Sequence, residues 1–378
     1  MMSKKTKKIG QWLLPLLLIF LIFIFGCSKT EQTVTEKDDK PITLRINCQI
    51  PAPEVSNISY SIAVKRFGEE LIKRSNGKIK PEHYWSTTLT PMDKTLYALR
   101  DRTMDICTIA PGFFPAELPL QDATNLNFQS MSLWGCLKTA QQLDEEFEAY
   151  HDEWERNNIM VLAQSGSAAN CIMTADKPVR KLEDLDGLKM RSYGVTAWLL
   201  EELGATPVAM PASDLMVALE RGTVDGFSGQ PIHMLLGMGY HEVCDYYIDA
   251  SMGNYGIMPL CMNIDAWNEL SPELQKIVKE AAQDTMVDEY AKLCYYGTLE
   301  LWDKYSEKGI DMYKLPADEV QKLREVNKRV VWDRWIQEKE AKGLPGQEIF
   351  DRAMELLKEY EEKDPYAWWK GIAATKMN

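Results

Sequence analysis

Five residues near the middle of the chain, Lys189-Met190-Arg191-Ser192-Tyr193, carry the pattern best able to do chemistry. Read as a strand, their alternation puts Lys189, Arg191 and Tyr193 on one face and Met190 and Ser192 on the other. A charged residue near the end of a parallel strand points into the crevice where such sheets bind ligands. A guanidinium there suits a carboxylate, because its rigid fork donates two parallel hydrogen bonds. An exposed basic residue on an edge strand would give the same pattern, and the residue types leave both readings open. Catalytic signatures are sparse. The histidines at 83, 151, 233 and 241 show no H-E-x-x-H or related metal spacing. Ser75-Asn76-Gly77-Lys78 fits S-x-x-K, but Asn76-Gly77 reads better as a helix stop. There is no G-x-S-x-G elbow, Walker loop or dinucleotide fingerprint. Neither cofactor nor metal is expected, and the residues point to binding, not catalysis.

The elements that must position Arg191 can be read around it. Lys181 to Pro231 reads as strand, helix, strand, helix, strand, with Arg191 on the first strand and a Gly- and Gln-containing loop after the last. Upstream, Ile42 to Asn47 alternates as a strand, Ser59 to Ser75 carries apolar residues at helical spacing, and Ile79 to Trp85 returns as a strand. A short helix over Met92 to Arg100 and a strand over Met104 to Ile109 follow, and strands alternating with helices at this pace predict parallel sheets. The two halves echo one another. Ala98-Leu99-Arg100-Asp101-Arg102-Thr103-Met104-Asp105 and Ala218-Leu219-Glu220-Arg221-Gly222-Thr223-Val224-Asp225 both read A-L-x-x-x-T-x-D, each where a helix hands over to a strand. Val243 to Ala250 and Gly256 to Asn263 read as strands crossing between lobes. Ser271-Pro272-Glu273 opens a long helix with an N-cap serine, a first-turn proline and an acid that the helix dipole favours. Its stripe, which includes Tyr290, reads as a burying face. Two charged helices, about 317 to 341 and 346 to 362, precede Trp368 and Trp369, read as packing the tail onto the body.

At 378 residues, 45% hydrophobic and 26% charged, the chain has the composition of a globular protein with room for two lobes. Lys4, Lys5, Lys7 and Lys8 precede an apolar run from Leu13 to Phe25, the pattern of a secretory signal. Ile24-Phe25-Gly26-Cys27-Ser28 resembles a bacterial lipobox, which would make Cys27 the lipidated first residue of the mature protein; an uncleaved anchor is the alternative. Both readings tether an extracytoplasmic domain. Residues 28 to 40 are polar and read as a flexible tether. Beyond the signal there are 39 basic and 56 acidic residues, a formal charge of −17, which argues against nucleic acid as a partner. The remaining seven cysteines contain no C-x-x-C pair and read as buried small hydrophobes, with no pairing assigned.

Three motifs in order carry a resemblance: Leu182-Glu183-Asp184-Leu185-Asp186-Gly187-Leu188-Lys189-Met190-Arg191, Leu203-Gly204-Ala205-Thr206-Pro207-Val208, and Ala218 through Gly226. With them the chain resembles the substrate-binding proteins of TRAP transporters, the tripartite ATP-independent periplasmic transporters. The likeness extends loosely from about Ile42 to Leu315. It implies an α/β, two-lobed periplasmic-binding-protein (flytrap) fold with parallel-rich sheets and a long helix spanning both lobes. The implied division is signal peptide 1–27, tether 28–40, lobe I 41–163, lobe II 164–255, then 256–378 as a return strand, the spanning helix and C-terminal helices. The implied function is capture of an organic acid for delivery to TRAP membrane permease subunits. In that family the arginine of the K-x-R strand grips the ligand carboxylate, which here falls on Arg191. The family's D-G-x-E-N-P asparagine has its nearest counterpart in Gln230, within a loop one residue longer. A second family arginine is replaced here by Asn170 and Cys171, which favours a monocarboxylate over a dicarboxylate. Phe113, with Phe114 beside it, Trp85 and Tyr193 complete the candidate lining, core packing being the alternative for each. A sensor subunit presenting its closed form to a signalling partner and an extracytoplasmic hydrolase are the other functions compatible with an exported cleft.

Overall fold

Alternation between short strands and amphipathic helices produces eleven strands in chain order: β1 (Ile42–Cys48), β2 (Ile79–Trp85), β3 (Ile106–Thr108), β4 (Ile159–Ala163), β5 (Asn170–Thr174), β6 (Lys189–Arg191), β7 (Thr206–Val208), β8 (Gly226–Pro231), β9 (Tyr246–Asp249), β10 (Leu260–Asn263) and β11 (Asp311–Lys314). The computed structural model describes residues 40–166, 170–253 and 256–367. The expected signal, Cys27, nearly all of the tether, and Trp368 and Trp369 lie outside the described residues. The strands form two sheets, one per lobe: five strands ordered β2-β1-β3-β10-β4, and six ordered β11-β9-β5-β8-β6-β7.

The sheets are mixed, not purely parallel as the strand–helix rhythm predicts. In each, a single strand is reversed: β10 runs antiparallel to β3 and β4, and β5 runs antiparallel to β8 and β9. Both are strands that the chain enters directly from the other lobe, β5 from β4 and β10 from β9; β11, reached from β10 through the long helix that starts at Pro272, runs parallel to β9. A chain that crosses directly, with no helix to carry it back along the sheet, arrives from the side opposite to a helical crossover and so lies against its neighbours in the opposite sense.

The repeated motif has a structural cause. In both copies the helix ends in a left-handed residue, Arg102 (φ 57°) or Gly222 (φ 65°). The N–H of Thr103 then reaches back to the Ala98 carbonyl, and that of Thr223 to the Ala218 carbonyl, each at 2.8 Å, closing the helix. Two residues on, the aspartate locks the incoming strand to its neighbour. Asp105 accepts the Arg45 N–H of β1 at 2.9 Å, and Asp225 accepts the Lys189 N–H of β6 at 2.7 Å. The two motifs thus superpose β3 on β8 and β1 on β6. Asn47 takes in the first lobe the place that Arg191 takes in the second.

A helix runs unbroken from Pro272 to Glu307, roughly 50 Å at 1.5 Å per residue. Ser271 caps it by accepting the Leu274 N–H at 3.3 Å. Its first part packs on β4 and on the helix Ser59–Arg74 of the first lobe, and its last part touches β11 of the second. Between them Asp284–Glu289 forms a wider π turn, which shifts the face presented to the core midway along the helix. The seven described cysteines are buried, and no disulfide joins any two of them.

Asp105 supplies a test of the strand lock. Burial pushes its carboxyl up, but the hydrogen bonds and charge of Arg45 outweigh this and hold it below the usual carboxylate range. A depressed carboxyl contributes stability above its unfolded pKa, near 4, and loses it as pH falls through the folded value. Asp105→Asn should therefore cost roughly 1.5 to 3 kcal/mol near neutrality in urea unfolding. The gap between variant and wild type should close as the pH drops below about 4. A gap that persists in acid would assign the loss to packing alone.

Candidate functional site

Arg191 ends β6, hydrogen-bonded in register between Phe227 of β8 and Val208 of β7. The preceding Met190 is buried in one core cluster of the second lobe, so alternation turns Arg191 to the opposite face of the sheet, at the end of the strand. Its side chain is 1% exposed. Nε donates to the Met210 carbonyl at 3.1 Å, and the guanidinium lies 4.8 Å from the centre of the Tyr193 ring. Nη1 is buried and has no hydrogen-bond partner among the described residues. A buried guanidinium N–H left unbonded is strongly unfavourable, so such a group marks a place built to meet an acceptor.

The acceptor's space is a cavity of about 520 Å³, including its mouth. Arg191, Tyr193 and Gln230 of the second lobe face Ile50, Tyr60 and Met92 of the first, and Met234, Met238 and Met258 add apolar walls. Arg191 is the single charged residue among those lining it. Tyr60 and Tyr290, in edge-to-face contact at 5.3 Å, close one side. The Tyr60 hydroxyl bonds Ser165 Oγ at 3.2 Å and the Met258 carbonyl at 3.3 Å, while that of Tyr290 donates to the Gly166 carbonyl. Both tyrosines therefore tie the segments that cross between lobes to the cavity wall. Burial pushes both phenols well above the usual range, keeping them neutral hydrogen-bonding groups.

A second cavity of about 470 Å³ shares the walls Tyr193, Gly229, Gly256 and Met258, and adds Gly112, Asp122, Asn125 and Ser192. The lobes meet here. Phe113 of the first lobe stacks on Tyr193 of the second, ring centres 4.4 Å apart and planes 22° from parallel. Gly112 permits the approach, since a Cβ there would sit 3.3 Å from the Tyr193 ring.

The residues singled out from sequence thus divide. Arg191, Tyr193 and Gln230 are brought together at one cavity. Phe113 lines neither cavity and acts through the ring it supports, while Phe114 is core, 1% exposed. Trp85 stacks on His83, ring centres 5.3 Å apart, and packs against the first lobe's core instead of lining either cavity. Cys171 is fully buried in the second lobe's core, where its Sγ donates to the Gln230 carbonyl at 3.1 Å. It is a support of the site and not a lining group, because its side chain packs into an apolar core cluster of the second lobe. The backbone of Asn170 pairs with Pro231, and its side chain lies outside the described residues. Sequence reasoning missed Tyr60, Asp122 and the methionines, and it placed Tyr290 on a merely burying stripe. Tyr60 had a usable signal: it lies in the first turn of the helix Ser59–Arg74, which follows the end of β1, and open sheets collect ligand groups at such strand ends.

Burial pushes the Cys171 thiol well above its ordinary value, which suppresses the reactive thiolate. Native protein beginning at Lys40 should leave its thiols unlabelled by a small disulfide reagent over minutes and release all seven on unfolding. Rapid native labelling that a bound acid suppresses would instead return Cys171 to the cleft.

Comparison with known proteins identifies the family. Residues 54–338 match the DctP family, described as bacterial extracellular solute-binding protein, family 7. A solute-binding protein of Chromohalobacter salexigens is 24% identical over 282 residues, 73% of this chain and 80% of the relative. A monocarboxylate 2-oxoacid-binding periplasmic protein of Nostoc sp. is 23% identical over 283 residues, 71% of this chain and 74% of the relative. Among solved structures, a TRAP solute binding protein from Rhodoferax ferrireducens in complex with copurified benzoate is similar in fold. Its TM-score is 0.77, at 24% identity over 85% of this chain and 99% of that one. With the family match covering most of the chain, from the first-lobe helix beyond β1 through the spanning helix, this protein belongs to the DctP family of bacterial extracellular solute-binding proteins.

Proposed function

We propose that the protein captures a monocarboxylate with an apolar, aromatic-sized body, anchors it on Arg191, and delivers it to the membrane permease of a TRAP transporter. The observation that carries this reading is the buried, unpartnered Nη1 of Arg191 in a cavity whose other lining residues are uncharged. One cation in such walls is neutralised by one carboxylate; a second carboxylate in the same space would be left buried and unpaired. Tyr60, Tyr193 and four methionines supply flat and adaptable apolar walls for the body of the ligand. The 2-oxoacid receptor of Nostoc sp. and the benzoate complex of the Rhodoferax protein support an organic acid of this kind. Lipidation at Cys27 would hold the receptor at the membrane beside the permease.

Binding then proceeds by closure. The carboxylate meets Arg191 on the second lobe, and Tyr60 of the first lobe completes the wall as the lobes close, with Phe113 backing the Tyr193 ring. Closure removes water from the ion pair and strengthens it. Gln230, held by the Cys171–Gln230 contact beneath it, offers its side-chain amide to the same ligand end.

A thermal-shift screen of organic acids identifies a binder, because a ligand that binds the native state raises its melting temperature. With that binder, calorimetry on Arg191→Ala should show a loss of roughly 2 to 5 kcal/mol in affinity. The ligand-free variant should melt no lower than the wild type, since it no longer buries an unsatisfied charge. Arg191→Lys should also weaken binding, because a point charge replaces the fork. Unchanged affinity in Arg191→Ala would sink the assignment.

A further inference from the structure

The two cavities meet at Tyr193, and only one of them contains an acid. Asp122, on the short 3-10 turn Gln121–Thr124, lines the second cavity and is 8% exposed. Its Oδ1 accepts the side-chain amide of Asn125 at 3.3 Å. Asn125 is itself fixed, because its Oδ1 takes the Ile257 N–H of the crossing segment at 2.7 Å. Oδ2 of Asp122 accepts no hydrogen bond from the described residues. Lys339, buried with its ammonium 5.4 Å from the centre of the Trp335 ring, acts on the carboxyl only through its field. Burial pushes the Asp122 carboxyl up, against that field and the Asn125 bond, as expected of an acid short of donors. Ser192 provides a second, independent sign. It lines the same cavity, is 1% exposed, and its Oγ has no partner among the described residues.

The ring of Tyr193 walls both spaces. The Arg191 guanidinium lies over it at 4.8 Å, and the point 3.3 Å from it where a Gly112 Cβ would sit is 3.9 Å from Asp122 Oδ1. A ligand reaching from one cavity into the other past Tyr193 therefore meets a cation at one end and an acceptor-rich carboxyl at the other.

We infer that Asp122 and Ser192 form a second pole of the ligand site, taking a hydrogen-bond donor, a hydroxyl or an ammonium, on the part of the acid remote from its carboxylate. This rests on the Arg191 reading above and adds the chemistry of the other end. The acceptor oxygen of Asp122 takes the donor, Ser192 bonds the same group, and Asn125 holds the carboxyl in place. The pole also sets the direction of binding, since a carboxylate beside Asp122 meets like charge while one beside Arg191 meets opposite charge.

Calorimetry tests this with four probes, phenylacetate and its 3-hydroxy, 3-aminomethyl and 3-carboxy derivatives, on the wild type, Asp122→Ala and Asp122→Asn. The wild type should bind the hydroxy or the aminomethyl acid about tenfold more tightly than phenylacetate, whichever donor the pole takes, and the dicarboxylate more weakly. Asp122→Ala should erase the donor's advantage. Asp122→Asn, which keeps the shape, should relieve the penalty on the dicarboxylate. Equal wild-type affinity for phenylacetate and both donor-bearing acids, or an advantage that survives both substitutions, overturns the assignment and leaves Arg191 untouched. A wild type that prefers the dicarboxylate overturns it as well, because Asp122 would then be donating. If no probe binds the wild type, the aromatic-acid reading fails and this inference with it.

Discussion

A guanidinium withdrawn almost entirely from water is the constraint around which the second lobe and the cleft are arranged. Arg191 keeps one backbone hydrogen bond, to Met210, and one aromatic face, Tyr193, and leaves Nη1 buried without a partner. Neither contact replaces the hydration that a charged group loses on burial. The position is tolerable because the rest of the fold supplies stability elsewhere: strands on both sides of β6, and apolar cores packed against both sheets. It is useful because the same geometry keeps the fork oriented and dry before any ligand arrives, which preorganises the site for a carboxylate.

That orientation depends on a repeated device. In each lobe an aspartate after a left-handed helix stop fastens one strand to the next, Asp105 to β1 and Asp225 to β6. The lock at Lys189 lies two residues before Arg191 and so fixes both the register and the face on which the arginine emerges. The matching position in the first lobe holds Asn47, 1% exposed, with both side-chain amide atoms unpartnered. The repeat thus places a buried polar side chain at the same point of both lobes, and only the second carries charge. The spanning helix and the two crossing strands then hold the lobes against one another. The Phe113–Tyr193 stack is the contact where this holding reaches the cavities.

Much of this was legible from residue order because it is local. The helix stop at Asn76-Gly77, the capped start at Ser271, the A-L-x-x-x-T-x-D echo and the strand carrying Arg191 all follow from short-range rules of backbone conformation and side-chain alternation. What failed was long-range. The reversed strands β5 and β10 come from chain crossings that no local pattern encodes. Cys171 stood where a second arginine was looked for, yet its side chain turns into the core and its thiol donates to the backbone carbonyl of Gln230 on the neighbouring strand. Trp85 ends a strand whose neighbours point to the cleft, but it finds its stacking partner two residues back, in His83. Asp122 was one acid among 56 acidic residues, and nothing in its neighbourhood sets it apart until folding brings it to the Tyr193 ring. Tyr60 and Tyr290 lie far apart in sequence and meet only across the first-lobe helix and the spanning helix.

The most direct measurement is a crystal structure of the protein with a monocarboxylate that raises its melting temperature. The account predicts the ligand carboxylate within hydrogen-bonding distance of Arg191 Nη1, beside Gln230, with the body of the ligand against Tyr193 and the methionine walls. A carboxylate held elsewhere, with Nη1 still unbonded or turned onto a protein acceptor, would contradict it.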